Sequence, residues 1–472
     1  MTLPEGKIPL PEGKRVLFGT DGIRGIANKH PMTPEVALQL GKAVARLFTN
    51  GKSPLVILGK DTRLSGYMLE SALEAGLVSA GATCYLVGPM PTPAIAHLTR
   101  SFAADAGIVI TASHNPAEHN GIKIFDRDGL KLPDAQELEI EKHVLEGLKM
   151  SHSLESAARV QSPDAAPLAL GKARRIDDAR GRYIEFCKST IGNNSLKGLK
   201  VVLDCANGAA YHITPVILQE LGADVITVHD EPDGLNINDG CGATHPDVIQ
   251  RAVLQHNADA GIALDGDADR VVMCDEHGTI IDGDRLLAIL ALELKREGRL
   301  RHDLVVATEY TNKGFDEAMA KASIKVVRVE NGDRYVLEEL HKRKAVLGGE
   351  QSGHLILLDY ATTGDGTIVA LQVLNLLKAS GRPLSALASV MSSWPQIVLS
   401  VAVKERRPFD KMPGVTAAIA EAERRLGSDG RVFVRYSGTE LKARVMVEAK
   451  DGSLPAKLAE RIVIAFQKEA GS

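Results

Sequence analysis

Three times along the chain, a set of short apolar runs rich in Val, Ile and Ala ends in a polar loop that carries hydroxyls, carboxylates or glycines. The first set is PLVILG (54–59), TCYLVG (83–88) and AGIVIT (106–111); the second is KVVLD (200–204), DVITV (224–228) and AGIAL (260–264). The third is DLVVAT (303–308), IKVVRV (324–329) and AVLGG (345–349). Runs with no polar alternation fit strands buried on both faces, and the helix-period segments between them complete parallel α/β units. In TPEVALQLGKAVARLF, Thr33 is placed to cap, Pro34 suits the first turn, and Val36, Leu40, Val44 and Leu47 share one face. Each third run leads into a loop and a second short strand: TASHNP (111–116) before GIKIF, DGDADR (265–270) before VVMC, and GEQSGH (349–354) before LILL. Ligands of open α/β sheets gather at the carboxyl ends of strands, so the repeat predicts three equivalent loops serving one active site.

After SSWPQIVLSVAV the repeat stops, and a helical GVTAAIAEAERRL lies between strands, with RYSGTE (435–440) in a turn before RVMVE. The expected fold class is α/β: three tandem mixed-sheet α/β/α domains of similar topology, plus a smaller α+β C-terminal domain, around one central cleft. A chain of 472 residues is long enough for about three or four domains at ~150 residues each. The expected divisions are a flexible arm at 1–14, where LPEGK occurs twice, then domains at 15–170, 171–277, 278–390 and 391–472. The Ser-, Ala- and Pro-rich stretch 151–175 is the most linker-like. A net charge of -4 gives no support to nucleic-acid or anionic-membrane binding, and no apolar run approaches the length of a membrane span. Cys84, Cys187, Cys205, Cys241 and Cys274 are scattered without a CxxC pair, which fits a reducing cytoplasm.

The loops suggest chemistry. Asp265, Asp267 and Asp269 place three carboxylates close together, which favours a hard cation such as Mg²⁺. The spacing, with Glu276 at the twelfth position, imitates a calcium loop, but Arg270 stands where glycine is required and the flanks are strand-like. A solvated acidic turn is the plain alternative. Arg270 can face a phosphate or pair with the same carboxylates. Ser113, facing such a site, can carry a phosphoryl group as a covalent relay, with His114 donating to it and Lys123 approaching. RYSGTE gathers Arg435, Ser437, Gly438 and Thr439, the ingredients of a phosphate cradle. Glu350 and Ser352 suit sugar hydroxyls, His354 suits proton transfer, and Arg24 lies among the glycines of FGTDGIRG.

FGTDGIRG, TASHNPAEHNGIKIF, DGDADR, GGEQSGH and RYSGTE stand in the order and approximate spacing of the α-D-phosphohexomutase superfamily, which the chain resembles from about residue 15 onward. Within it, VVLDCANGAAY, GDRYVLEEL and GGEQSGHLILLDYATTGDG are similar to the phrasing of the branch that acts on hexosamine phosphates. The resemblance implies that Ser113 is phosphorylated and that one Mg²⁺ per active site is bound by the Ser113 phosphate with Asp265, Asp267 and Asp269. The implied reaction interconverts glucosamine 6-phosphate and glucosamine 1-phosphate through glucosamine 1,6-bisphosphate. That compound or another hexose bisphosphate is the activator, and the product supplies UDP-N-acetylglucosamine synthesis. Arg270 is implied to neutralise the transferring group, the Arg435 loop to hold the other phosphate, and Asp333 and Arg334 of GDRYVL to contact sugar beside Glu350 and Ser352. Arg24, Lys123 and His354 are equal candidates for proton transfer. Leu441 follows SGTE where relatives often carry proline. A phosphomannomutase or phosphoglucomutase of the same superfamily is the nearest alternative, a serine phosphatase the alternative from another class, and a homodimer is left open.

Overall fold

The computed structural model describes residues 15–19, 21–151, 170–437 and 441–471. The expected 1–14 arm, Gly438 and Thr439 lie outside the described residues. The described residues up to Asp282, with Ser352–Ser385, form one compact unit, and Gly283–Gln351 with the described residues from Ala386 form a second. The stretch 278–390 therefore contributes to both.

Two sheets with the same wiring fill the first unit. In one, Thr83–Pro89, Leu55–Lys60, Ala106–Ile110 and His119–Asp126 lie side by side, the first three parallel and the fourth antiparallel. In the other, Asp224–Val228, Lys200–Asp204, Ala260–Leu264 and Val271–Asp275 repeat that order and those directions. The second unit has Lys325–Val329, Leu304–Thr308 and Leu347–Gly349 in the same order, all parallel. The repeat of runs is thus a repeat of topology. In each case the second strand is added on one side of the first and the third on the other, so the third strand ends at a switch point, where connections diverge and leave room for a ligand.

One segment departs from the expected linker. Ala173–Arg175 pairs in parallel with Thr83–Pro89 and adds the edge strand of the first sheet, beyond the expected division at 170/171. All of its side chains are exposed, so no apolar pattern marks it; the backbone ladder places it. At the other edge, Gly22–Ile26 pairs antiparallel with His119–Asp126 and brings Arg24 opposite Gly121.

The helix Pro34–Phe48 begins as its sequence requires, with Thr33 Oγ1 accepting from Val36 N at 3.4 Å. Val36, Leu40 and Val44 are buried, and Leu47 packs partly buried on the same core; each fully buried leucine there contributes about 1.5–3 kcal/mol. Its crossing with Leu64–Ser79 is close: a Cβ on Gly41 would meet Leu73 O at 2.5 Å, and one on Gly76 would meet Leu38 O at 2.2 Å. In the second unit, Gln396–Ala402, Lys442–Ala449 and Gly430–Tyr436 form an antiparallel sheet, with Pro413–Leu426 and Pro455–Ala470 packed around Val445, Val447, Ile462 and Phe466. No helix among the described residues is long and apolar enough to cross a membrane. The five cysteines are buried thiols.

Candidate active site

Ser113 follows Ala106–Ile110 by three residues and takes a left-handed backbone conformation, φ 53°. For a residue with a Cβ this costs about 1–2 kcal/mol, so it persists only where the surroundings hold it. Its hydroxyl donates to Asp265 Oδ2 at 2.6 Å and lies 3.4 Å from His114 Nδ1. Asp265 directly follows the equivalent strand of the second sheet, Ala260–Leu264, and the glycine after it lets the two loops meet: a Cβ on Gly266 would lie 2.7 Å from Ser113 O.

The three aspartates are buried, with carboxylate oxygens within 4.8 Å of one another. Asp267 Oδ1 and Asp269 Oδ1 are buried and accept no hydrogen bond among the described residues. Leaving such oxygens unpaired is costly, and a hard cation with oxygen ligands is the partner that fits them. Glu276 is not part of this set; it accepts from Ser385 N at 3.2 Å, and strands flank the loop, so the calcium-loop pattern is a coincidence of spacing.

Positive charge is arranged around the cluster. Lys123 Nζ is buried and lies 3.0 Å from Asp267 Oδ2, 3.3 Å from Asp269 Oδ2 and 3.3 Å from Asp21 Oδ2. Asp21 also pairs with Arg24 and Lys131. Burial opposes the charge of Lys123, yet Asp21, Asp267 and Asp269 hold its ammonium well above its usual value. Burial, then Asp269 and Asp267, hold the Asp265 carboxyl well above the usual range. Burial alone would also raise Asp269, but Lys123 and His354 hold it well below. Burial, with Arg270 and Arg24 nearby, pushes the His114 imidazole down to about 4 and leaves it neutral near pH 7. Arg270 contributes its backbone N–H to Asp265 Oδ1 at 3.1 Å, and its Nε lies 3.8 Å from Asp269 Oδ1.

His354 Nε2 accepts from Gly364 N at 3.0 Å, which leaves Nδ1 to carry the proton, 3.7 Å from Asp269 Oδ2. Lys123 and Arg24 are held as cations and His354 has its Nε2 lone pair engaged.

Sequence reading missed several partners of the site. Asp21 shares Lys123 with the aspartates, and Thr92 Oγ1 donates to Asp267 Oδ2 at 2.6 Å. A second close set, Asp204, His229 and Cys241, is an internal bond network: the Asp204 oxygens accept from Ala206 N at 2.9 Å, Gly242 N at 2.8 Å and His229 Nδ1 at 3.1 Å.

The remaining expected residues are placed as follows. In the second unit, Arg435 stacks its guanidinium 5.3 Å from the Tyr310 ring centroid and donates from Nε to the Tyr310 hydroxyl at 3.1 Å. Ser437 is buried, its N–H donating to Lys442 O at 2.8 Å. Glu350 is buried just after Leu347–Gly349, while Asp333 and Arg334 open the helix Asp333–Arg343, with Arg334 Nε donating to Glu338 at 3.1 Å. Ser352, in the first unit, is exposed.

Comparison with known proteins agrees in every region. Residues 15–150, 181–278 and 282–394 match alpha/beta/alpha domains I, II and III of the phosphoglucomutase/phosphomannomutase family, and 399–465 match its C-terminal domain. A phosphoglucosamine mutase of Anaeromyxobacter sp. (strain Fw109-5) is 52% identical over 461 residues, 97% of this chain and 96% of that protein. Among solved structures, a phosphoglucomutase/phosphomannomutase family protein from Burkholderia thailandensis superposes with a TM-score of 0.76 at 23% identity, over 96% of this chain and 97% of that one. Aspergillus fumigatus N-acetylphosphoglucosamine mutase, solved with GlcNAc-6P and magnesium, does so with a TM-score of 0.66 at 21% identity, over 97% and 96%. These two likenesses are of fold.

Proposed function

Since the chain belongs to the phosphoglucomutase/phosphomannomutase family and is, with its phosphoglucosamine mutase relatives, an isomerase, we propose that it interconverts glucosamine 6-phosphate and glucosamine 1-phosphate through a phosphoserine at Ser113. Ser113 gives its phosphoryl group to the free hydroxyl of the sugar monophosphate: the bond from phosphorus to Oγ breaks as the bond to the sugar oxygen forms, and the proton of that hydroxyl ends on Ser113 Oγ, from which it returns to the sugar oxygen freed in the second transfer. The product of this step is glucosamine 1,6-bisphosphate, which then presents its other phosphoryl group to Ser113 Oγ. Mg²⁺ at Asp265, Asp267 and Asp269 supplies charge neutralisation for the transferring group when bound. Lys123, Arg24 and Arg270 add fixed positive charge whose orientation is set before the reaction begins. Arg435, Ser437, Gly438 and Thr439 hold the phosphate not being transferred, and Glu350, Ser352, Asp333 and Arg334 hold the sugar.

The observation that carries this reading is the Ser113 hydroxyl donating to Asp265 inside a buried aspartate cluster that leaves two carboxylate oxygens for a cation. Its test compares glucosamine 6-phosphate, mannose 6-phosphate and glucose 6-phosphate, each with Mg²⁺ and a trace of its own 1,6-bisphosphate, for the wild type and Ser113→Ala. Glucosamine 6-phosphate is expected to be preferred, with loss of at least about 10³-fold in the variant. Preference for another hexose overturns the substrate, release of inorganic phosphate points to a hydrolase, and full activity of Ser113→Ala sinks the phosphoserine.

A further inference from the structure

We propose that Arg63, with Asp61, Thr111 and Asn238, is a positioning device that holds Ser113 in its left-handed conformation so that Oγ faces the aspartate cluster. The proposal rests on the reading of Ser113 as the phosphoryl carrier. Both polar backbone groups of Ser113 are tied to one buried ion pair. On the carbonyl side, Ser113 O accepts from Arg63 Nη2 at 3.0 Å and from Asn238 Nδ2 at 2.9 Å. On the amide side, Ser113 N donates to Thr111 Oγ1 at 2.9 Å, and that hydroxyl donates to Asp61 Oδ2 at 2.7 Å. Asp61 Oδ2 in turn accepts from Arg63 Nε at 2.8 Å, which closes the circuit.

Arg63 has five N–H donors, and all are used: one on Asp61 and four on the backbone from Ser113 to His119. Besides Nε to Asp61 and Nη2 to Ser113, Nη2 donates to Asn115 O at 2.7 Å, and Nη1 donates to His119 O at 3.1 Å and to Pro116 O. Asn238 Nδ2 repeats the contact with Asn115 O at 3.1 Å. Arg63 is wholly buried and Asp61 nearly so. A guanidinium spent on four carbonyls of one loop has no donor left for a substrate; its effect is on the path of the backbone. Rotating Ser113 back to an ordinary negative φ turns its Cα–Cβ bond away from Asp265. The device therefore acts on the aim of the nucleophile, where a misplacement of about 1 Å can cost ~10²-fold in rate.

Thr111 gives a test in which packing and positioning make opposite predictions. Thr111→Val keeps the volume of this wholly buried side chain and removes both hydrogen bonds; Thr111→Ser keeps the hydroxyl and removes a methyl group. Asn238→Asp is a second variant of unchanged shape that removes the donor to Ser113 O. Each protein, checked for folding by circular dichroism, is mixed with hexose 1,6-bisphosphate and Mg²⁺, and phosphoryl transfer to the chain is timed by intact mass. The wild type and Thr111→Ser are expected to take up one phosphoryl group at similar rates. Thr111→Val and Asn238→Asp should be at least about ten-fold slower, with the half-saturating bisphosphate concentration changed less than about two-fold. Wild-type rates in Thr111→Val and Asn238→Asp, or a loss in Thr111→Ser as large as that in Thr111→Val, overturn the device while leaving the phosphoserine in place. A wild type that takes up nothing at Ser113 overturns the phosphoserine reading, and the device with it.

Discussion

Thr92 and Asp267 stand 175 residues apart in the chain and share two hydrogen bonds, from Thr92 Oγ1 to Asp267 Oδ2 at 2.6 Å and from Thr92 N to Asp267 O at 2.9 Å. With Lys123 on the same Oδ2, they hold one oxygen of that carboxylate and leave Oδ1 for a cation. Partners that orient a metal ligand typically carry 10–100-fold in metal affinity. Thr92→Val, which keeps shape and loses the hydroxyl, is therefore expected to weaken Mg²⁺ or Mn²⁺ binding by about ten-fold or more in a calorimetric titration; unchanged affinity would remove Thr92 from this role. The contrast with Ser113 and the aspartates shows what a sequence makes visible. Those residues follow buried runs directly, so chemistry and position are read together. Arg63 and Asn238 reach Ser113 from 50 and 125 residues away, and no local pattern records such a pairing. Asp21 lies in FGTDGIRG beside Arg24, yet its link to Lys123 exists only because Gly22–Ile26 pairs with His119–Asp126.

The helix Gly366–Ser380 carries chemistry at its start that no apolar pattern reports. Its N-cap, Asp365, accepts from Ile368 N at 2.9 Å and also from Tyr183 Oη at 2.6 Å. A carboxylate at a helix N-terminus is favoured by the dipole, but burial is the larger effect here and pushes the Asp365 carboxyl up to about 6. Because the folded state holds the proton more tightly than the unfolded chain, the linked stability is fully present below about pH 4 and is lost as pH rises to about 6. A shift of that size corresponds to something on the order of 3 kcal/mol. Asp365→Asn keeps a good cap and cannot titrate. The midpoint of the thermal transition that unfolds the unit containing Asp365, followed from pH 4 to 7, should fall in the wild type relative to this variant across that window; parallel curves would mean that Asp365 does not titrate there. The strands were easier to read, since parallel strands buried on both faces keep continuous apolar runs. Ala173–Arg175 escaped because an exposed edge strand of three residues has neither length nor pattern.

At the scale of the whole chain, the repeat disclosed how many α/β units to expect, because each needs its own strands and helices to bury a core. It could not disclose that Ser352–Ser385 joins the unit containing the first two sheets, since compactness depends on which surfaces meet. Packing in the C-terminal region is separable: Phe466, wholly buried, sits edge-on to Phe409 at 5.9 Å and to Tyr436 at 6.4 Å, within a core drawn from Val401 to Ala470. The first sheet has a core of its own, drawn from Leu17 to Val144. A long chain with separate cores is not expected to unfold as a two-state body. Phe466→Ala removes a buried ring that cannot be replaced by collapse of a small antiparallel sheet, at a cost of about 3–5 kcal/mol. Differential scanning calorimetry should resolve more than one transition in the wild type and show one of them lowered by more than about 10 °C in the variant, given 4–8 °C per kcal/mol for a domain of this size. If every transition fell together, the cores would be thermodynamically one, and the substitution at Phe466 would then also lower the temperature at which the Ser113 loop loses its hold on Asp265.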